Sequence, residues 1–313
     1  MLQVWKLPHL VKGIATHVPM LDKLRINRAA TGGSNSARYC YSVWLRHLSL
    51  LALQGFSIRH AKVGELGPGD SIGTGLAAVL SGAKTYIGLD AIPFSARADL
   101  LDIFQDLVRM FCNREAIPNE REFPGVRPKL QSYLFPHHLV DCSNLTLLHA
   151  QIREELKKGL NRGELITYRA PWDSFSAITP ESLDLIFSQA VLEHVDRLSD
   201  TYEAMFAWLK PGGYASHTID FTAHYLSPVW NGHWAYTPQQ WHLVRGRREF
   251  LLNRKPLSAH VASATKAGFK ILLLTRDYDL SGLTPQCLSA EFRNLDSEDA
   301  KTRGCVLILI KPK

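Results

Sequence analysis

A chain of 313 residues, 46% of them hydrophobic, is long enough to bury a full core and too apolar to be mainly disordered. No uninterrupted apolar stretch approaches the roughly 20 residues of a membrane helix, since even 42–56 is broken by Arg46, His47 and Gln54. The formal charge of +7 allows an anionic partner, but the densest basic run, 245–255, has Phe250 as its one aromatic and no nucleic-acid module around it, so a solvated face is the expected reading.

In chain order, residues 1–58 read as a helical N-terminal extension, with a loop over 31–39 and an apolar helix over 44–53. Lys6 and Pro8 interrupt the first apolar run and argue against a secretory signal. The five cysteines (Cys40, Cys112, Cys142, Cys287, Cys305) are widely spaced, which suits neither a disulfide framework nor a zinc knuckle, so the expected location is cytoplasmic. From Lys62 onward short apolar runs alternate with helical patterns, as in a doubly wound α/β sheet. Strands are expected at 62–66, 85–89, 165–168, 183–188, 213–219, 270–275 and 305–311. An insertion occupies 91–163, and 221–256, rich in Trp, Tyr and His, reads as a lid or acceptor wall. The whole is expected to be one domain, with a cofactor-binding core over 59–220 and an acceptor-side segment with the closing strands over 221–313.

The stretch "KVGELGPGDSIGTG" (62–75) begins as a strand and turns through glycines before a helix that carries Leu76, Val79 and Leu80. Gly67 and Gly69 permit positive φ and let a ligand approach main-chain N–H groups. About twenty residues further on, "YIGLD" ends in Asp90, where a carboxylate can accept hydrogen bonds from both hydroxyls of a ribose. The pair suggests a nucleoside cofactor. A dinucleotide fingerprint needs glycine where Ile72 stands, and Glu65 would repel a pyrophosphate but suits a cationic amino-acid group.

"ELGPGDSIG" (65–73) resembles the first motif of class I S-adenosylmethionine-dependent methyltransferases of the type 11 kind, and "GLD" (88–90) their ribose-binding acidic site. "SLDLIFSQAVLEHV" (182–195) and "MFAWLKPGGYA" (205–215) resemble, in the correct order, the fourth strand with its exit loop and the turn before the fifth strand. The resemblance implies a Rossmann-like, seven-stranded, mostly parallel sheet with an antiparallel last strand and helices on both faces. It also implies S-adenosylmethionine as cofactor, with Glu65, Gly67 and Gly69 near its methionine part, Asp90 on the ribose, Ala170 or Pro171 beside the adenine, and Gln189 among the contacts. The chain departs from the family where "YRAPWDSF" (168–175) replaces a short acidic pair, which puts Asp173 in doubt, and where Ser71 replaces a glycine.

Between the fourth and fifth strands, Leu198, Tyr202, Met205, Phe206 and Leu209 repeat at helical spacing, with Asp196 or Ser199 as cap and Pro211-Gly212-Gly213 as stop. Candidates for loosening an acceptor proton are His194 in "LEHV", and His217, Asp220 and His224 in "SHTIDFTAH". A two-histidine, one-carboxylate metal site from the latter three is conceivable, but its spacing is not diagnostic and no metal is expected. Trp230, His233, Trp234, Tyr236 and Trp241 could stack on a sugar or simply pack. The "SQAVLEH" run lacks the tetrapeptide associated with methylation of nucleobase amino groups, so nucleic acid is an improbable acceptor and a hydroxyl on a small molecule or sugar is expected. The competing readings are a NAD(P)-dependent oxidoreductase and a non-catalytic scaffold of the same fold; the oligomeric state is left open.

Overall fold

The structure, a computed structural model, describes residues 4–18, 33–93, 99–140, 145–160, 163–172 and 175–313; Cys142, Asp173 and the first residues of the 31–39 loop lie outside the described residues. Seven strands form one sheet: β1 (Lys62–Leu66), β2 (Thr85–Leu89), β3 (Ile166–Arg169), β4 (Leu183–Gln189), β5 (Leu209–Asp220), β6 (Lys270–Tyr278) and β7 (Thr302–Ile310). Their order is β3-β2-β1-β4-β5-β7-β6, with β7 antiparallel to both neighbours, as the resemblance implies. The order reverses between β1 and β4. In open α/β sheets that switch point, at the C-terminal strand ends, is where ligands bind, and here the glycine turn stands there.

The helices are α1 (Leu7–Ala15), α2 (Ala37–Leu53), α3 (Gly73–Leu80), α4 (Leu100–Asn113), α5 (Leu145–Lys158), α6 (Leu198–Trp208), α7 (Pro238–Arg245) and α8 (Leu257–Lys266). α2 to α5 share a core with one face of the sheet, and α6 and α8 with the other. α3 is buried all round, which its mostly apolar and small residues permit. Among the described residues no helix is long and apolar enough to cross a membrane.

α2 starts at Ala37, behind Ser36, whose side chain accepts from the Tyr39 N–H. The two charged or polar residues that interrupt its apolar run are fully buried. Arg46 donates to the carbonyls of Pro118, Val126 and Pro128, pairs with Glu120 at 3.0 Å and lies over the Tyr133 ring. Irregular backbone needs partners when buried, and one guanidinium supplies several, so Arg46 organises the insertion between α4 and α5.

Two sequence expectations are corrected around α6. Neither Asp196 nor Ser199 caps it: the N-cap is Arg197, without a side-chain cap bond, while Asp196 pairs with Arg245 and Ser199 faces Ser263. The helix also ends at Trp208, ahead of the Pro-Gly-Gly stop, and Leu209 already pairs with Leu183. The proline ring excludes the carbonyl of the residue four before it and disfavours helical backbone at Lys210, so its effect reaches back along the chain. The glycines instead form an irregularity inside β5, since the next pairing is Tyr214 with Leu185.

Candidate functional site

The glycine turn is built on β1 and its neighbours. Gly67 has φ +62° and Gly69 φ +77°, both in the left-handed region that favours glycine. A Cβ on Gly67 would lie 2.7 Å from Val191 Cγ2, so the turn is pressed against the exit of β4. The Gly67 N–H donates to the Leu89 carbonyl, and the Gly69 N–H to Asp90 Oδ2 at 3.4 Å; the Ala91 N–H donates to Oδ1 at 2.8 Å. Burial pushes the Asp90 carboxyl up to about 6 against these N–H groups. Ser71, in the place of a family glycine, is tied through its N–H and Oγ to Ser34 ahead of α2.

Glu65 is 3% exposed, and its Oε2 accepts from Tyr86 Oη at 2.6 Å. Burial pushes it up to about 8, countered by Tyr86 and aided by the charge of Asp90. Two small residues make room for this contact: a Cβ on Gly75 would lie 2.1 Å from the Tyr86 ring, and one on Gly88 2.9 Å from its hydroxyl. Buried carboxyls with raised pKa at two adjacent strand ends fit a ligand that brings a positive group and hydroxyl donors. Ala170 follows β3, and the Trp172 N–H returns to the Asp90 carbonyl at 2.9 Å.

The second part of the site follows β4 and β5. Glu193 and His194 lie on a 3-10 turn (Leu192–His194), and Asp220 and His224 on the exit of β5. The His194 and His224 rings meet edge to face at 5.1 Å, and His224 Nε2 stands 3.3 Å from Asp220 Oδ2. Burial, then His224, lowers His194 to about 4. Burial raises Asp220, but His224 and the Thr222 N–H and hydroxyl outweigh it and bring the carboxyl down to about 2. Glu193 is 2% exposed and burial pushes its carboxyl well up. Ala190, His224, Tyr225 and Arg254 are four of the seven non-glycine positive-φ residues among the described residues; the first three border this group, and Arg254 adjoins Asn253, which anchors the 3-10 turn. Such strain persists only where surroundings enforce it.

Those surroundings come from far along the chain. Asn253 donates to the Leu192 and Val195 carbonyls, both at 2.8 Å, while its own N–H binds the Glu193 carbonyl, clamping the 3-10 turn. Arg254, 8% exposed, donates to the Tyr236 carbonyl and sits over the Trp241 and Phe292 rings. The basic run is therefore structural in part, with Arg245 on Asp196, and is no uniform solvated face. Trp234, Tyr236 and Trp241 are buried in small aromatic clusters. α1 closes this wall from outside: a Cβ on Gly13 would lie 1.9 Å from the Leu243 carbonyl oxygen, and Lys6 Nζ donates to the Ala235 carbonyl.

The structure thus brings His194, Asp220 and His224 together and keeps His217 apart. His217 is fully buried in β5, with Nδ1 2.8 Å from Ser188 Oγ and its ring on Tyr202; burial lowers it to about 3. Gln189 lies at the strand end with Oε1 3.1 Å from His47 Nε2, while His47 Nδ1 meets Ser216. Sequence reasoning missed Tyr86, His47 and Asn253, and did not single out Glu193 as a site residue. Tyr39 was missed as well: burial, and then the charges of Cys40, Glu65 and Glu193, push its hydroxyl well up. Only the glycines at 75 and 88 signalled Tyr86, by vacating the volume it needs.

A family model described as a methyltransferase domain matches residues 136–216, from ahead of β3 into β5. A search of curated proteins found no match. Among solved structures, the chain is similar to an S-adenosylmethionine-dependent methyltransferase from Mesorhizobium loti, with 12% identity, 84% of this chain and 97% of that one covered, and a TM-score of 0.42. It is also similar to phosphoethanolamine N-methyltransferase 2 of Haemonchus contortus in complex with S-adenosyl-L-methionine, with 15% identity, 86% and 53% covered, and a TM-score of 0.43; it spans about half of that protein.

Proposed function

We propose that this chain, a class I S-adenosylmethionine-dependent methyltransferase, methylates a hydroxyl oxygen of a small-molecule or saccharide acceptor. The observation that carries the reading is the packing of the glycine turn against Val191, three residues before His194, with the Asp220–His224 pair on the adjoining strand exit. The cofactor supplies an electrophilic methyl group on a sulfonium. Glu65, Gly67 and Gly69 hold its amino-acid part, Asp90 its ribose, and Ala170 and Gln189 line its remaining edge. Transfer in line needs alignment and exclusion of water more than covalent help. His224, oriented by Asp220, takes the proton of the acceptor hydroxyl, and His194 narrows the approach. His217 supports this edge from inside the sheet through Ser188.

A hydroxyl acceptor is favoured because a histidine–carboxylate pair answers a proton that must leave. Incubation of the full chain with S-adenosylmethionine and a panel of glycans, phenols and amines, read by mass spectrometry, tests the reading. A gain of one methyl on hydroxyl-bearing acceptors is expected, and methylation confined to amines would overturn it. Calorimetry should show binding of S-adenosylhomocysteine and none of NAD.

A further inference from the structure

We propose that Glu193, His194 and His224 form a binding site for one divalent transition cation, with Asp220 at its edge, on the acceptor side of the glycine turn. One ligand atom from each of the three lies within 4.8 Å of the others. The donors around one zinc-sized ion, each bonded at about 2.0–2.2 Å, stand roughly 3–4 Å apart, so side-chain shifts on the ångström scale complete the set.

The second observation is that these donors are unsatisfied. Both Glu193 oxygens and His194 Nδ1 are three of the eleven buried side-chain polar atoms left without a well-formed hydrogen bond among the described residues, and His224 Nε2 has only its 3.3 Å approach to Asp220 Oδ2. Native interiors leave few such atoms, and an isolated buried carboxylate is costly unless a cation meets it. The orphaned nitrogens of His217 and His260 differ, each standing singly in the aromatic core beside Tyr202. Here the orphans converge. Asp220 Oδ2, 3.3 Å from His224 Nε2, adds a second carboxylate beside the site.

Two imidazoles with carboxylate suit zinc, manganese, iron(II) or cobalt better than calcium, whose sites are built of oxygen alone. The cation's role rests on the methyltransferase reading and replaces one part of it: with His224 serving as a ligand and no longer as the base, the cation would bind the acceptor oxygen, orient it and make its hydroxyl more acidic, so that the proton passes to water. Asn253, which clamps the main chain on both sides of Glu193, is then a positioning residue for the metal as well.

The test titrates cobalt(II), then zinc, into the full chain after chelator treatment, reading visible absorption and metal content by mass spectrometry. One cobalt per chain is expected, with d–d bands absent from the free ion and displaced by zinc. Glu193→Gln and His224→Ala should each weaken binding by at least about tenfold, while S-adenosylhomocysteine affinity stays within twofold and shows that the variants fold. If Glu193→Gln does not fold, His194→Gln serves in its place. No stoichiometric cobalt or zinc in the unmodified chain, or binding indifferent to all three substitutions, overturns the site. Stoichiometric metal without methylation of any hydroxyl would instead sink the acceptor reading and leave the metal site standing.

Discussion

The proposed cofactor half of the candidate site and its proposed acceptor half are built in opposite ways. Glu65, Gly67, Gly69 and Asp90 stand within 26 residues of one another, on two neighbouring parallel strands and the turn between strand and helix. The acceptor half draws on the exits of β4 and β5, on Asn253 beyond α7, and on α1 pressing from outside. One half is determined by local backbone geometry. The other depends on long-range docking, and its residues sit in strained backbone that only such docking can hold.

The largest test of this contrast is Gly67→Val, which strikes the point where the halves touch. A β-branched residue at φ +62°, with its Cβ 2.7 Å from Val191, should cost about 3 kcal/mol of stability and abolish binding of S-adenosylhomocysteine. Chemical denaturation and calorimetry check it; retained stability would mean that the turn is looser than the contact with Val191 requires. Asp90→Ala addresses the cofactor half alone and should weaken S-adenosylhomocysteine by about 1–3 kcal/mol through loss of charge-assisted bonds. Unchanged affinity would remove Asp90 from the ribose. The smallest expected effect is that of Asn253→Ala, which removes two side-chain bonds at the 3-10 turn and should cost about 1–2 kcal/mol. It should raise the KM for acceptor while leaving cofactor affinity intact; an equal loss of both would erase the division between the halves.

The same contrast explains what could be read before the structure. All seven strands were legible as short apolar runs bounded by helical periods, the inner parallel ones because they are buried on both faces, and the antiparallel sense of the last strand followed from the resemblance. The glycine turn was legible because positive φ leaves a residue-type signature. Tyr86 on Glu65 was not, since the contact depends on volume left empty at Gly75 and Gly88, residues that look like ordinary helix and strand positions. Arg46 and His47 read as interruptions in an apolar run, whereas each is a fully buried hub for irregular backbone or strand ends. His217 and His224 looked alike in "SHTIDFTAH". The pleat of β5 put the first inside the sheet, and the irregular exit carried the second to Asp220. Glu193 was undervalued because a carboxylate at a turn usually faces water, and nothing local announces that Asn253, some sixty residues on, will bury it.

The docking of α1 has a consequence for synthesis. Lys6 finds its partner Ala235 at a separation of 229 residues, so α1 must wait for most of the chain to be translated before it can dock. The parallel strands β1 to β4 can assemble during that interval, since their hydrogen-bonding partners are already out. A ribosome stalled before residue 238 would therefore carry a chain with its cofactor turn complete and α1 without the helix it packs on, which makes closure of the acceptor wall a late event in the life of the nascent chain.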